Sequence, residues 1–200
     1  RDSSTSRGLG DVYKRQLPRK TKRKKVNRLK PIVLVSACLL GQPVRYDGKS
    51  KPVDLSALRN SFSLVAVCPE CAGGLPIPRV PCEIEETKTA ADVLSGRGRI
   101  LSKAGKDCTE AYIKGAQLCS KIAQKYHTQY ALLKEKSPAC GTHFIHSGNF
   151  DGRLRAGKGV FAESLSLAGL KVFNEQEINE LMISFEKSHR VETVSSLTQC

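Results

Sequence analysis

The apolar positions of this chain fall into two rhythms. Residues 31–36 (PIVLVS), 63–67 (SLVAV), 130–133 (YALL) and 171–173 (KVF) are short apolar runs of strand length. Residues 99–102 (RILS) form a further short run before a turn at Ala104 and Gly105. The longest stretch between them has helical spacing instead. Ala111, Tyr112, Ala116, Cys119, Ile122, Ala123 and Tyr126 recur every three to four residues, behind Asp107 as cap and Glu110 three residues later. Shorter helices are predicted over 54–59, over 160–167 with Gly169 as its stop, and over 176–187. Residues 41–54 read as a loop. The segment CPECAGGLPIPRVPCE is so dense in Pro and Gly that we expect neither helix nor ladder there, only one fixed path.

Strands alternating with helices predict a single α/β domain, with a mostly parallel, Rossmann-like sheet flanked by helices. Ligands of such sheets sit beyond the carboxyl ends of the strands. Cys38, Cys68 and Cys140 each lie shortly after a predicted strand, so all three reach one edge of the sheet.

Charge refines the domain boundaries. The chain has 200 residues and a formal net charge of +14, from 33 Lys+Arg and 19 Asp+Glu. Residues 1–30 hold 12 of the basic and 2 of the acidic groups, which leaves 21 and 17 for the rest. The basicity therefore belongs to the leader, not to a folded face. We expect a disordered basic leader over 1–29, a domain over 30–190 and a tail over 191–200. Residues 1–16 resemble translated adapter sequence. Nucleic acid is expected only as a non-specific contact of the leader, because aromatics make up 6 % of the chain and form no stacking platform. No apolar run is long enough to span a bilayer, and no secretory signal is visible, so a cytoplasmic setting is expected.

Eight cysteines without an export signal point to metal binding or free thiols rather than disulfides. Cys38, Cys68 and Cys140 share small or rigid neighbours (ACLLG, VCPE, SPACG), which let backbone approach a cluster. Three thiolates without an evident fourth ligand suit a [4Fe–4S] cluster with one open iron. Zinc held by three cysteines and His143 or His146 is the alternative. Cys71 completes a CxxC with Cys68 but is read as incidental. Cys119 belongs to the core, Cys108 to the first turn of its helix, Cys82 to the neighbourhood of the site, and Cys200 is terminal.

The motifs VSACLLGQPVRYDG, VCPECAGGLPIPRVPCE and EKSPACG, with the later GKGVFAESL, resemble domain-of-unknown-function family 523. Its characterised members are 2-thiouracil desulfurases (TudS-like). The resemblance covers about residues 31–175. It implies a [4Fe–4S] cluster on Cys38, Cys68 and Cys140, whose free iron takes the sulfur of a thiolated pyrimidine while water replaces it at carbon without net redox change. It also implies site roles for Glu70 and Ser137. A carboxylate two residues from a ligand can activate water, and the serine can orient the ring or relay a proton. In simpler terms, Glu70 pairs with Arg79 or Arg45 and Ser137 caps a turn. Asp47 and Glu83 are next in line as base. Cys71 and Cys82 depart from the family pattern.

The leading expectation is therefore a desulfurase acting on a small thiolated heterocycle. The alternative is a non-catalytic metal-binding protein carrying an Fe–S cluster or zinc.

Overall fold

A computed structural model describes residues 30–197. The leader expected over 1–29 and the terminal Cys200 lie outside the described residues. Strands β1 (Ile32–Ser36), β2 (Ser63–Val67), β5 (Tyr130–Leu133) and β8 (Lys171–Asn174) form one sheet in the order β2-β1-β5-β8. Every neighbouring pair is parallel. The predicted α/β class is what the chain adopts.

Strand side chains alternate between faces, and β1 shows the consequence. Leu34 faces a core shared with Tyr112, Ala116 and Cys119 of α4 (Thr109–Lys125) and Phe161 of α5 (Val160–Leu167). Val33 and Val35 face a second core with Leu58 of α1 (Ser56–Ser61) and Leu181 of α6 (Ile178–Leu197). The sheet is thus covered on both faces, which explains why its strands read as continuous apolar runs rather than alternating ones.

Several local expectations are corrected. The Pro/Gly-rich segment does contain regular structure. Pro69–Ala72 is a helical turn (α2), and Cys82–Ile84 is a strand (β3) pairing antiparallel with β4 (Ile100–Ser102). Proline suits the first turn of a helix because the N–H it lacks would have no partner there. Helix α3 (Ala90–Leu94) was not read from the sequence, although Thr89 and Asp92 form a reciprocal capping box. A hairpin of β6 (Phe144–His146) and β7 (Leu154–Ala156) was missed as well. Helix α4 starts one turn position later than expected. Cys108 is its cap residue, and Asp107 accepts the Thr109 N–H at 2.9 Å. Helix α6 runs on past Lys187 to Leu197, because no Gly or Pro interrupts that stretch.

Candidate functional site

The order of the sheet sets the position of the site. After β2 the chain crosses over β1 to form β5, so the connections out of β1 and β5 run to opposite sides and open a crevice at their carboxyl ends. Cys38 sits in a short 3₁₀ turn, Ala37–Leu40, directly after β1. Gly41 closes that turn at φ 91°, a left-handed conformation that glycine adopts without strain. Cys68 caps α2 directly after β2. Cys140 follows β5 in the SPAC turn, where the Ser137 carbonyl accepts the Gly141 N–H at 2.8 Å. The amino end of α5 seats on this turn. Val160 N–H donates to Pro138 O and Phe161 N–H to Ala139 O, while a Cβ at Gly159 would lie 2.4 Å from the Ala139 carbonyl carbon. That close approach is the physical content of the GKGVF motif.

All three cysteines line one cavity of about 600 Å³, together with Glu70 and Ser137. Its volume is in the range of small-molecule sites. Cys38 and Cys140 are buried and Cys68 is half-buried. Burial raises the Cys38 thiol pKa, with Lys134 and Arg45 opposing. Burial pushes Cys68 up to about 12, reinforced by Cys71 and Glu70 but opposed by the Cys71 backbone N–H. Burial also raises Cys140 well above the ordinary thiol range, and Cys68 and Cys38 add to this. The Ser36 hydroxyl acts against it. Cys140 thus feels the charge of both other cysteines.

The donor set discriminates between metals. Among the described residues, no three Cys, His, Asp or Glu donors converge closely enough to hold a single ion. A cubane asks less of them, because each thiolate binds its own iron. Three thiols facing one roomy cavity therefore fit a cluster better than zinc. His143 does not join them; its Nε2 lies 2.8 Å from Glu177 Oε1. His146 lines the cavity, and its buried Nδ1 has no hydrogen-bond partner and stands 4.0 Å from Glu83 Oε1.

Glu70 and Ser137 come together, and their simpler roles hold at the same time. Glu70 Oε2 accepts from Arg79 Nε at 2.7 Å and forms an ion pair with Nη2 at 2.5 Å. Arg45 pairs with Asp47 instead. Burial alone would pull the Arg79 pKa down, but the charge and hydrogen bonds of Glu70 outweigh it and the net direction is up. Ser137 Oγ donates to Glu70 Oε1 at 3.2 Å. The same oxygen accepts the N–H groups of Ala139 and Cys140 at 3.1 and 3.2 Å. Ser137 is thus both turn cap and bridge to the carboxylate.

Cys71 lies beside Cys68 but outside the cavity lining, with its Sγ 3.8 Å from Val44 O. Cys82 lines the cavity, and burial pushes its thiol up to about 12 beside Cys108 and Tyr112. Cys119 is core, as expected. Sequence reasoning missed Ser36, which is buried and accepts the Lys134 N–H at 2.9 Å while facing Cys140. It also missed the Lys134–Glu175 ion pair on the cavity wall. A serine two residues before Cys38 was the only signal of the former.

The model of the 2-thiouracil desulfurase family matches residues 33–177. The uncharacterised protein YbbK of Bacillus subtilis (strain 168) is 38 % identical over 152 residues, which is 76 % of this chain and the full length of that protein. A solved structure of a [4Fe-4S]-dependent thiouracil desulfidase, TudS (DUF523Vcz), is 39 % identical with a TM-score of 0.70. That similarity covers 78 % of this chain and 99 % of the solved one. The three-cysteine cavity thus lies inside the matched region, and this chain belongs to the 2-thiouracil desulfurase family.

Proposed function

We propose that this protein is a desulfurase that replaces the sulfur of a thiolated pyrimidine by oxygen from water, without net redox change. Cys38, Cys68 and Cys140 hold a [4Fe–4S] cluster, and Glu70 and Ser137 carry the proton chemistry. The observation that carries the reading is the Arg79–Glu70–Ser137 chain of hydrogen bonds on the wall of the cavity that the three thiols line. Support for the cofactor comes from the donor set and from the similarity to a [4Fe-4S]-dependent enzyme.

When bound, such a cluster supplies a Lewis-acidic iron that polarises a thiocarbonyl. Everything else falls to the chain itself. Glu70 takes a proton from the attacking water through Oε1, the oxygen that Arg79 leaves free. Arg79 fixes the carboxylate plane. Ser137 orients that oxygen and passes the proton onward to the departing sulfide. The overall change is C=S plus H₂O to C=O plus H₂S, which balances in atoms and electrons.

Among the described residues no helix is long and apolar enough to cross a membrane. The reading places the domain of residues 30–190 in the reducing cytoplasm, with a small thiolated heterocycle as its partner. The test is anaerobic reconstitution followed by incubation with 2-thiouracil and thiolated nucleosides. The oxo product is read by chromatography and sulfide by colorimetry. Oxygen-18 from labelled water is expected in the product. A holo protein inert towards all of them would overturn the substrate class and leave a metal-binding protein. Equal activity without iron would overturn the role of the cluster.

A further inference from the structure

The loop joining β6 to β7 forms part of the cavity wall, and one of its residues is conformationally unusual. Phe150 has φ +54°, in the left-handed region that bulky side chains rarely occupy. Such a conformation persists only where the surroundings enforce it, and it often marks a functional position. The enforcement is visible here. Glu83, a buried residue of β3, accepts the N–H of Gly148 at 2.7 Å and that of Phe150 at 3.2 Å, both on Oε2. Gly148 itself has φ 103°, and a Cβ there would lie 2.4 Å from Glu86 N. Ser147 ties the far side by donating to Asp151 Oδ1 at 2.7 Å and accepting from Asn149 N–H.

Phe150 is absent from both apolar cores and from their partly buried margins, and it makes no ring–ring contact among the described residues. It is half-buried, and it lines the same cavity as the three cysteines and Glu70. A half-buried aromatic residue whose backbone is pinned by Glu83 and which borders the reacting cavity stands where a planar molecule would enter.

We infer that Phe150 is the stacking platform that positions the heterocycle, and that Glu83 is the positioning residue holding it there. The inference rests on the desulfurase reading for its substrate, a planar pyrimidine. Stacking on an aromatic ring constrains tilt and height but not rotation, so it complements the hydrogen bonds of the Glu70 side. Glu83 thereby has a structural task in the loop. One of its oxygens is committed to two backbone amides, and the other faces His146.

The test compares native holo protein with Phe150→Leu, Phe150→Tyr, Glu83→Ala and Glu83→Gln. Iron content and thermal midpoint confirm that each is folded and loaded. The readouts are KM and kcat for 2-thiouracil and the affinity for uracil, a planar non-thiolated probe. Phe150→Leu keeps the bulk but loses the π-face. It is expected to weaken uracil binding and raise KM by roughly 5- to 150-fold, the range for losing one base–aromatic stack, with a smaller change in kcat. Phe150→Tyr should behave like the native protein. Glu83→Ala should follow Phe150→Leu, and Glu83→Gln, whose side-chain carbonyl still accepts both amides, should restore binding. Native-like KM and uracil affinity in Phe150→Leu would overturn the platform while leaving the desulfurase reading intact. Uracil binding that depends on Phe150, in a native protein that desulfurates nothing, would overturn the reading and leave the platform standing. A native protein that binds no pyrimidine overturns both.

Discussion

Arg79 holds one oxygen of Glu70 and leaves the other to Ser137. The guanidinium contacts Oε2 at 2.5 and 2.7 Å, and the serine hydroxyl donates to Oε1 at 3.2 Å. A carboxylate gripped on one side is oriented without being consumed. Glu70→Gln is expected to keep its iron and lower turnover by about 10²–10⁴-fold, the usual loss for a missing general base. Iron and sulfide assays beside single-turnover kinetics check this, and undiminished turnover would send the search for the base elsewhere. Ser137→Ala should be milder in turnover. It should also cost about 1 kcal/mol of stability, as loss of a side-chain cap does, because Ala139 and Cys140 lose their acceptor.

Cluster loading should depend on three cysteines and not on their neighbours. Serine at Cys38, Cys68 or Cys140 is expected to abolish iron and acid-labile sulfide after anaerobic reconstitution. Cys71→Ser should retain both, because Cys71 stands outside the cavity lining. Loss of the cluster in Cys71→Ser equal to that in Cys140→Ser would make the CxxC a ligand pair. Cys119→Ser should load normally but unfold at lower temperature, since its thiol packs among Tyr112, Ala116 and Ala123.

The turn that carries Cys68 is seated on α4 through two glycines. A Cβ at Gly115 would lie 1.8 Å from Pro69 O, and one at Gly73 would lie 2.0 Å from Ala111 O. On an ordinary helix, Gly to Ala stabilises by about 1 kcal/mol. Here the contact is with backbone, so Gly115→Ala should instead destabilise by about 1–3 kcal/mol and displace the Cys68 turn. Thermal unfolding and iron per chain provide the check. A gain in stability with full iron would show that the two helices part without cost.

Acid sensitivity should centre on Glu135. Burial would raise its pKa, but hydrogen bonds from Thr142, Phe144 and His143 outweigh it and the net direction is down. Its carboxylate accepts the Thr142 N–H and hydroxyl and the N–H groups of His143 and Phe144. A depressed folded pKa contributes stability that is present above the unfolded value, about 4.3 for glutamate. That stability is lost as pH falls through the folded value. Glu135→Gln should therefore be less stable than the native protein at pH 7, by roughly 1–3 kcal/mol. The difference should shrink as pH falls below about 4. Denaturant melts at pH 7 and below pH 4 test the sign, and a gap that widens in acid would refute it.

The apolar runs of β1, β2, β5 and β8 sufficed to give the class of the fold, because a strand covered on both faces must be apolar throughout. The same runs ranked the cysteines, since ligands of parallel sheets gather at one edge. Short elements escaped that reading. The turn at Pro69, the β3–β4 pair and the β6–β7 hairpin are three or four residues each, and partners distant in sequence stabilise them rather than any local period. The site divides in the same way. Positions after strands singled out Cys38, Cys68 and Cys140, and the family resemblance singled out Glu70 and Ser137; the fold brings all five to one cavity. That Arg79 rather than Arg45 grips Glu70, that Ser36 faces Cys140, and that Glu83 pins Phe150 were decided only by tertiary structure. Each is a side chain meeting an atom from a separate segment of the chain, and charge or hydroxyl in a sequence carries no record of which distant partner burial will leave within reach.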